Sequence, residues 1–593
     1  MTECGKGKVT GSGNQAGKGM GRRKGTGMEV ELETMEGRGE RTGTGSDIAV
    51  GVDASREGNL GAVADIDTEK GRNTGIVWFK RDLRLVDHAP LCEAMEQHKQ
   101  LLLLYIMEPS LQADERYSER HFRFIAASLD DMQKKLPKNC FIWVVEGEVI
   151  PILDSLHTIN PFASLYSHEE TGLAFTYRRD KRVSEWCRSN GVTWREYPSN
   201  GVERPCKNLK GWNQRWFQRM KQPLAQPNWS HYSAHSPSPQ LQAWYEIHQW
   251  RPNFTEISDH TGRQPGGTSA GWLYLSDFLN HRHVDYQRKI SKPMESRRSC
   301  SRISPYLAWG NLSMRMVWQA VEQRRFALKQ AGAGPSILRS LDAFATRLVW
   351  HCHFIQKFEI DGILEHRNQN PAFDALRTAW DSHAFQAWTS GHTGIPLVDA
   401  SMRCVITTGY LNFRMRAMLV SFLTHHLWLD WKKGAAHLAR MFLDFEPGIH
   451  YPQFQMQAGC TGVHTIRIYN PTKQGIDHDP DGQFIRTWVP ELRSVPIPWL
   501  YTPWMLTARQ QSEFNCTLGV DYPLPVVEID VAAARARKEL WSMKASPESR
   551  LHGRKILVKH GKKVEKHSPD EETDGDVRIE PQLSAPNEPT TSN

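Results

Sequence analysis

The chain has 593 residues, 39% hydrophobic and 24% charged, with a formal net charge of +8, enough apolar material for more than one cored domain. It has no run of about 18 apolar residues, and its ten Cys are scattered irregularly from Cys4 to Cys516, so an intracellular protein is expected, neither membrane-spanning nor a secreted disulfide framework. The positive balance permits a polyanionic partner without requiring one, and 21 Trp must be packed, stacked or put to use.

Residues 1–72 are rich in Gly, Lys, Arg, Thr and Glu and nearly free of aromatics, so they are predicted to stay disordered. No apolar segment after Met1 makes a secretory signal, and Glu29, Glu31, Glu33 and Glu36 argue against a transit peptide. Residues 76–79 (IVWF) read as a buried strand stopped by Lys80, Arg81 and Asp82, and 101–106 and 141–145 read as two more. Between them, 120–136 spaces Phe124, Ala127, Leu129 and Met132 as a helix. This alternation predicts a Rossmann-like α/β domain over 73–204, a parallel sheet covered on both faces. No GxGxxG follows the first strand, so the ordinary dinucleotide fingerprint is absent.

Residues 205–270 read as a Trp-, Pro- and Gln-rich linker with little periodicity. From 271 to 544 the pattern is mostly α-helical, with apolar spacings of three and four over 338–358, 416–431 and 435–442. Residues 545–593 are predicted to be a disordered charged tail, with a basic run at 553–563 followed by an acidic one at 570–576. The basic run suits nuclear import, nucleic-acid contact or simple solvation.

Several sites can be weighed from chemistry alone. Residues 477–482 (DHDPDG) imitate the start of a calcium loop, but Trp488 stands where its bidentate Glu belongs and Pro480 stiffens the middle, so a turn is expected. His351 and His353 fall on different faces of a helix and are poorly placed to share a metal, and no metal site is expected. Residues 299–304 (SCSRIS) put three hydroxyls around one cation before Pro305, which suits either a helix cap or a receptor for phosphate oxygens.

Four longer stretches are recognisable. Residues 74–85 (TGIVWFKRDLRL), 304–313 (SPYLAWGNLS), 391–403 (GHTGIPLVDASMR) and 467–492 (RIYNPTKQGIDHDPDGQFIRTWVPEL) resemble the photolyase/cryptochrome family, in order and spacing, over about residues 74–510. The resemblance implies an antenna-type α/β domain followed by a larger α-helical domain that holds FAD. On the cofactor side, Tyr286 matches the family's phosphate-contacting Tyr, and Ser301 and Ser304 match its clamp hydroxyls, with Arg302 and Ile303 between them. Cys300 stands where the family usually has Thr. Arg416 and Asp444 match the pair beside the flavin ring, followed by Phe445 and by Glu446 in place of a second Asp. His450 takes the position facing flavin N5, where a neutral imidazole hydrogen-bonds and a charged one donates a proton.

On the substrate side the resemblance implies that Trp350 stacks on a flipped-out lesion, with Arg347 replacing a carboxylate one turn earlier. Phe413, Ala417 and Met456 replace Asn, Met and Trp around the same pocket, and Arg414 and Arg467 keep the pattern. In the electron relay Trp431 matches the middle Trp and Trp380 the outer one, while Phe454 interrupts the inner position, with Tyr410, Tyr451 or Trp350 as candidate bridges. Arg81 and Asp82 lie where a crevice chromophore of undetermined identity would sit. The implied function is a DNA photolyase, in which excited reduced FAD splits a pyrimidine dimer in single- or double-stranded DNA. The alternatives are a cryptochrome photoreceptor acting through a signalling partner and a light-independent nucleic-acid binder. A monomer is expected.

Overall fold

In the computed structural model the described residues are 74–560, apart from 232, 235–236 and 255–262. The predicted disorder of 1–72 therefore lies outside the described residues.

Five parallel strands form the core of the N-terminal half: β1 (Thr74–Phe79), β2 (Gln100–Met107), β3 (Ile142–Glu146), β4 (Ser164–His168) and β5 (Thr193–Tyr197), in the order β3-β2-β1-β4-β5. Ile76 pairs with Leu102 on one side and Leu165 on the other. A further strand, β6 (Ser233–Ala234), adds to β2. All six residues of β1 are buried, because its two faces serve different cores. Ile76 and Trp78 pack with Leu153 and Val183 from the helices Val149–Ile159 and Ala174–Ser189. Val77 and Phe79 belong instead to the apolar cluster that runs on through the helical half. The predicted α/β domain is present, and its sheet has the helical half as the cover of one face.

That junction is held by guanidinium groups as well as apolar packing. Arg120 on the helix Glu119–Gln133 donates to the carbonyls of Val405, Ile406 and Met441 at 2.6–3.1 Å. Arg440 returns the contact to Tyr117 O at 2.9 Å. Arg81 donates to Ala308 O at 3.0 Å and Phe445 O at 2.6 Å and pairs with Glu446 at 3.2 Å.

Three expectations need correction. Among its described residues the 205–270 linker contains the helices Trp212–Met220 and Pro239–His248, and another, Thr268–Asn280, begins in it. The first buries Trp212, Trp216 and Met220 on one side, an i, i+4, i+8 spacing present in the sequence. The continuous helix expected over 416–431 is three pieces: Phe413–Ser421, a wide π turn over Phe422–His426, and a new helix from Trp431 to Met441. Between them Trp428 has φ of 57°, which a continuing helix cannot accommodate. Finally, the tail expected from 545 begins with a packed helix, Pro547–His560, after Ile529–Ala545.

The recognisable stretch 391–403 is scaffold. Asp399 is wholly buried and accepts from the Thr393 amide and hydroxyl, the Gly394 amide and the Tyr522 hydroxyl. Gly394, at φ of 76°, is required here because a Cβ would lie 2.4 Å from Leu524 O. The 477–482 stretch is a turn: Asp479 caps the helix Gln483–Trp488 by accepting from Phe484 N and Ile485 N.

Candidate functional site

The site is built on the long helix Pro335–Ile360, which starts with Pro at its first turn and carries Arg347, Trp350 and His351. The helix Pro447–Gln457 packs directly on it. A Cβ on Gly448 would sit 2.7 Å from Ile355 Cα, so only Gly permits this approach. Three residues further along both helices, Tyr451 stacks on Phe358 at 6.1 Å.

Arg416 comes from the helix Phe413–Ser421. Its Nη2 pairs with Asp444 Oδ2 at 2.9 Å, its Nε donates to Leu411 O at 2.7 Å, and its plane lies 3.9 Å over Phe442. Burial alone would raise the Asp444 pKa, but Arg416 and the Ser304 hydroxyl hold it below the ordinary value. Asp444 Oδ1 is buried without a partner, the kind of atom that waits for a donor.

The turn 299–304 faces the same region. Arg302 adopts a left-handed φ of 61°. Its guanidinium stacks 3.7 Å from the Tyr410 ring and donates to Gln264 Oε1 at 2.9 Å, while its Nε is buried without a partner. Ser301 and Ile303 are buried beside it, and burial pushes the Cys300 thiol up to about 11, so it stays a weak, neutral donor. Tyr286 is buried too, with the Arg347 guanidinium against its hydroxyl.

His450 donates Nε2–H to Ala435 O at 2.9 Å, which leaves Nδ1 the acceptor. Burial holds it down to about 4, so it is neutral near pH 7 and the proton-donor alternative is not supported. Its ring meets Phe445 edge-on at 5.2 Å and Phe454 at 5.0 Å. Glu446 has both oxygens engaged: one caps the helix by accepting from Gly448 N and the other pairs with Arg81. Arg81 also lines a crevice at the ends of β1 and β2 with Lys80, Tyr105 and Arg179, while Asp82 is engaged by two His. Asp82 Oδ2 is 2.9 Å from His88 Nε2 and 2.6 Å from His168 Nδ1, a buried network whose ligand-type atoms lie within 4.8 Å of one another. Composition gave no hint of it, since His168 lies 86 residues from Asp82 in the chain.

On the substrate side Trp350 is half-buried and meets His353 at 5.1 Å and Phe354 at 5.7 Å, while Arg347 is exposed. Phe413 is exposed and Arg414 lies 5.7 Å over Tyr469. Met456 and Arg467 are half-buried at the two ends of the loop that follows the His450 helix. In the relay region Trp431 is buried, with its Nε1 donating to Asn368 Oδ1 at 2.7 Å. Trp380 is exposed, against Phe385 and under Lys433. Tyr451, only one of three candidate bridges in the sequence, contacts both His450 (5.5 Å) and Trp431 (6.3 Å).

Comparison with known proteins decides the family. Residues 75–227 match the DNA photolyase model and 344–542 the model of the FAD binding domain of DNA photolyase, together more than half of the chain. The chain belongs to the photolyase/cryptochrome family. A deoxyribodipyrimidine photo-lyase of Agrobacterium fabrum is 28% identical over 488 residues, covering 78% of this chain and 96% of the relative. A cryptochrome DASH of Synechocystis sp. is also 28% identical, covering 78% and 97%. A bacterial class III photolyase from Agrobacterium tumefaciens superposes with a TM-score of 0.68 at 25% identity, covering 82% of this chain and all of that one. The residues of this family member fit its FAD-binding domain: the unpartnered Arg302 Nε suits phosphate, and the unpartnered Asp444 Oδ1 suits a ring or ribityl donor. Among the described residues no helix is long and apolar enough to cross a membrane.

Proposed function

We propose that this protein is a DNA photolyase that repairs UV pyrimidine dimers, with Trp350 and Arg347 receiving the lesion. The observation that carries this reading is Arg347. It is an exposed guanidinium one turn before Trp350 on the same helix, with the neutral Tyr286 hydroxyl against it and no carboxylate partner among the described residues. A lone cation beside an open indole matches a flipped-out base, which brings a π-face, carbonyl oxygens and a flanking phosphate.

FAD, when bound, supplies the light-driven electron. The chain does the rest. Arg302, Ser301 and Tyr286 bind the phosphates, and Arg416 with Asp444 orients the ring and favours negative charge on it. His450 presents Nδ1 as an acceptor and withholds a proton. Phe413 and Met456 exclude water from the stacked base, and Arg347 stabilises negative charge arriving on the lesion.

The test is photorepair of dimer-containing oligonucleotides by the reduced protein. Arg347→Ala should lower lesion binding or repair yield about tenfold, the loss of one charge-assisted hydrogen bond, with fold and flavin content kept. No repair by the wild-type protein on single- or double-stranded DNA would refute the reading. A photoreceptor role is supported by one specific feature: Asp361, at the end of the cavity helix, is latched to Lys559 and His560 near the end of the described chain. Light-dependent protease sensitivity of that end without repair is the outcome it expects.

A further inference from the structure

The helix Pro547–His560 lies beyond residue 542, where the matched family region ends. Its inward side is fixed. Ser549, Gly553 and Ile556 are buried, and the Ser549 carbonyl accepts from Asn370 Nδ2 at 3.0 Å. Its last turn is pinned to the cavity helix by Lys559 and His560, 3.2 and 3.3 Å from the two oxygens of Asp361. The outward side carries Arg550, Arg554 and Lys555, all exposed and without a carboxylate partner among the described residues. It is the start of the basic run at 553–563, to which neither the flavin site nor the lesion cavity gives a role.

A second group of cations lies behind it. Lys544 and Arg467, both half-buried, and the buried Lys357, two turns after Trp350, converge on the loop 461–466, where Lys544 Nζ donates to His464 O at 3.3 Å. Burial with these neighbours holds His464 down to about 3, so it stays neutral among them. Asp361, an acid of this corner, pairs with Lys559 and His560 and also favours the charge on Lys357. Lys357 stands on the same long helix as Trp350, which links this positive corner to the proposed lesion site. A concentration of like charge lowers stability unless something anionic shares it.

We infer that the outward face of Pro547–His560, together with the cationic corner at His464, is a docking surface for the phosphate backbone of a DNA duplex alongside the cavity. Leu551, Leu557 and Val558 are exposed among the cations, but Arg554 and Lys555 separate Leu551 from the other two, so no unbroken apolar strip forms and the face suits a strongly charged polymer better than a bilayer. The choice of DNA as the polymer rests on the repair reading.

The test uses the full-length flavin-loaded protein and the variant Arg550→Gln/Arg554→Gln/Lys555→Gln, with binding to a short undamaged duplex followed by anisotropy over a range of salt. The slope of log affinity against log salt should become shallower by about 2–3, roughly 0.9 for each phosphate no longer neutralised. Flavin content and photorepair of an isolated dimer dinucleotide should not change. An unchanged slope overturns the docking surface, as does a wild-type protein that binds no duplex, or a variant that loses only binding to anionic phosphatidylserine vesicles. Wild-type repair with an unchanged slope sinks the docking surface alone. A shallower slope without any repair sinks the photolyase reading alone.

Discussion

Replacing Arg81 with Met should loosen the junction between the sheet and the helical half, and the loss should depend on pH. Arg81 has three partners across that junction, and its guanidinium also lies 5.1 Å over Trp309. Met keeps most of the packing volume and removes the charge, leaving Glu446 as a buried carboxylate without a counter-ion. Breaking a buried pair in this way costs about 3–5 kcal/mol. Glu446 retains 9% of its side-chain surface and Arg81 21%, so water reaches the pair and the lower end, about 3 kcal/mol, applies. Burial already raises the Glu446 pKa, and Arg81 is the main group opposing it. Without Arg81 the folded carboxyl holds its proton more tightly than the unfolded one. The native state then binds more protons, so the variant loses stability as pH rises through the folded pKa and recovers as pH falls. Urea unfolding followed by Trp fluorescence, near pH 5 and near pH 7.5, measures this directly. The double variant Arg81→Met/Glu446→Gln should regain most of the loss at the higher pH. Equal stability of the single and double variants there would refute the buried-charge account.

Other outcomes follow from the same geometry. Tyr451→Phe should slow photoreduction of bound flavin by an external reductant, because Tyr451 touches both His450 and Trp431, and Phe454→Trp should speed it; transient absorption reads both, and no change in either would remove Tyr451 and Phe454 from the route. Arg416→Ala should release flavin by leaving Asp444 uncompensated, at a cost of about 3 kcal/mol, and stoichiometric flavin after gel filtration would count against that pairing. Global stability should drop as pH falls from about 6.5 towards 4. His121, His437 and His450 each titrate near 4 when folded, so the unfolded state takes up protons that the native state refuses. His450→Phe should make that drop shallower, which acid titration of the melting temperature would detect.

The strands were legible because each is a short apolar run buried on both faces, and β1 to β3 fall within one or two residues of their expected bounds. The helix break at Phe422–His426 was not, since apolar side chains keep a helix-like spacing through a π turn and only the positive φ of Trp428 reveals the stop. The terminal helix was missed for a different reason. Its buried side is largely Ser549 and Gly553, with Ile556 the one sizeable apolar group, so no hydrophobic period marks it. In the site, Arg416 and Asp444 stand 28 residues apart, and nothing in composition or periodicity pairs them. The family resemblance supplied that pairing. It did not reveal the Arg81–Glu446 pair, because a motif transfers residue positions without saying which oxygen a neighbouring cation has taken.

The guanidinium–carbonyl bonds between sheet and helices have a practical consequence for handling the molecule. Arg120 alone plugs three main-chain carbonyls of the other half, and Arg440 plugs one in return. These groups do not depend on any one peptide link between the halves, such as the exposed stretch around residues 206–211, after which the chain returns to the sheet at β6. A chain nicked there should therefore migrate as one particle, and two separately encoded fragments ending and beginning there should find each other when co-expressed. Either fragment made alone would present a broad greasy face studded with unanswered carbonyls or arginines, and should come out of the cell as aggregate.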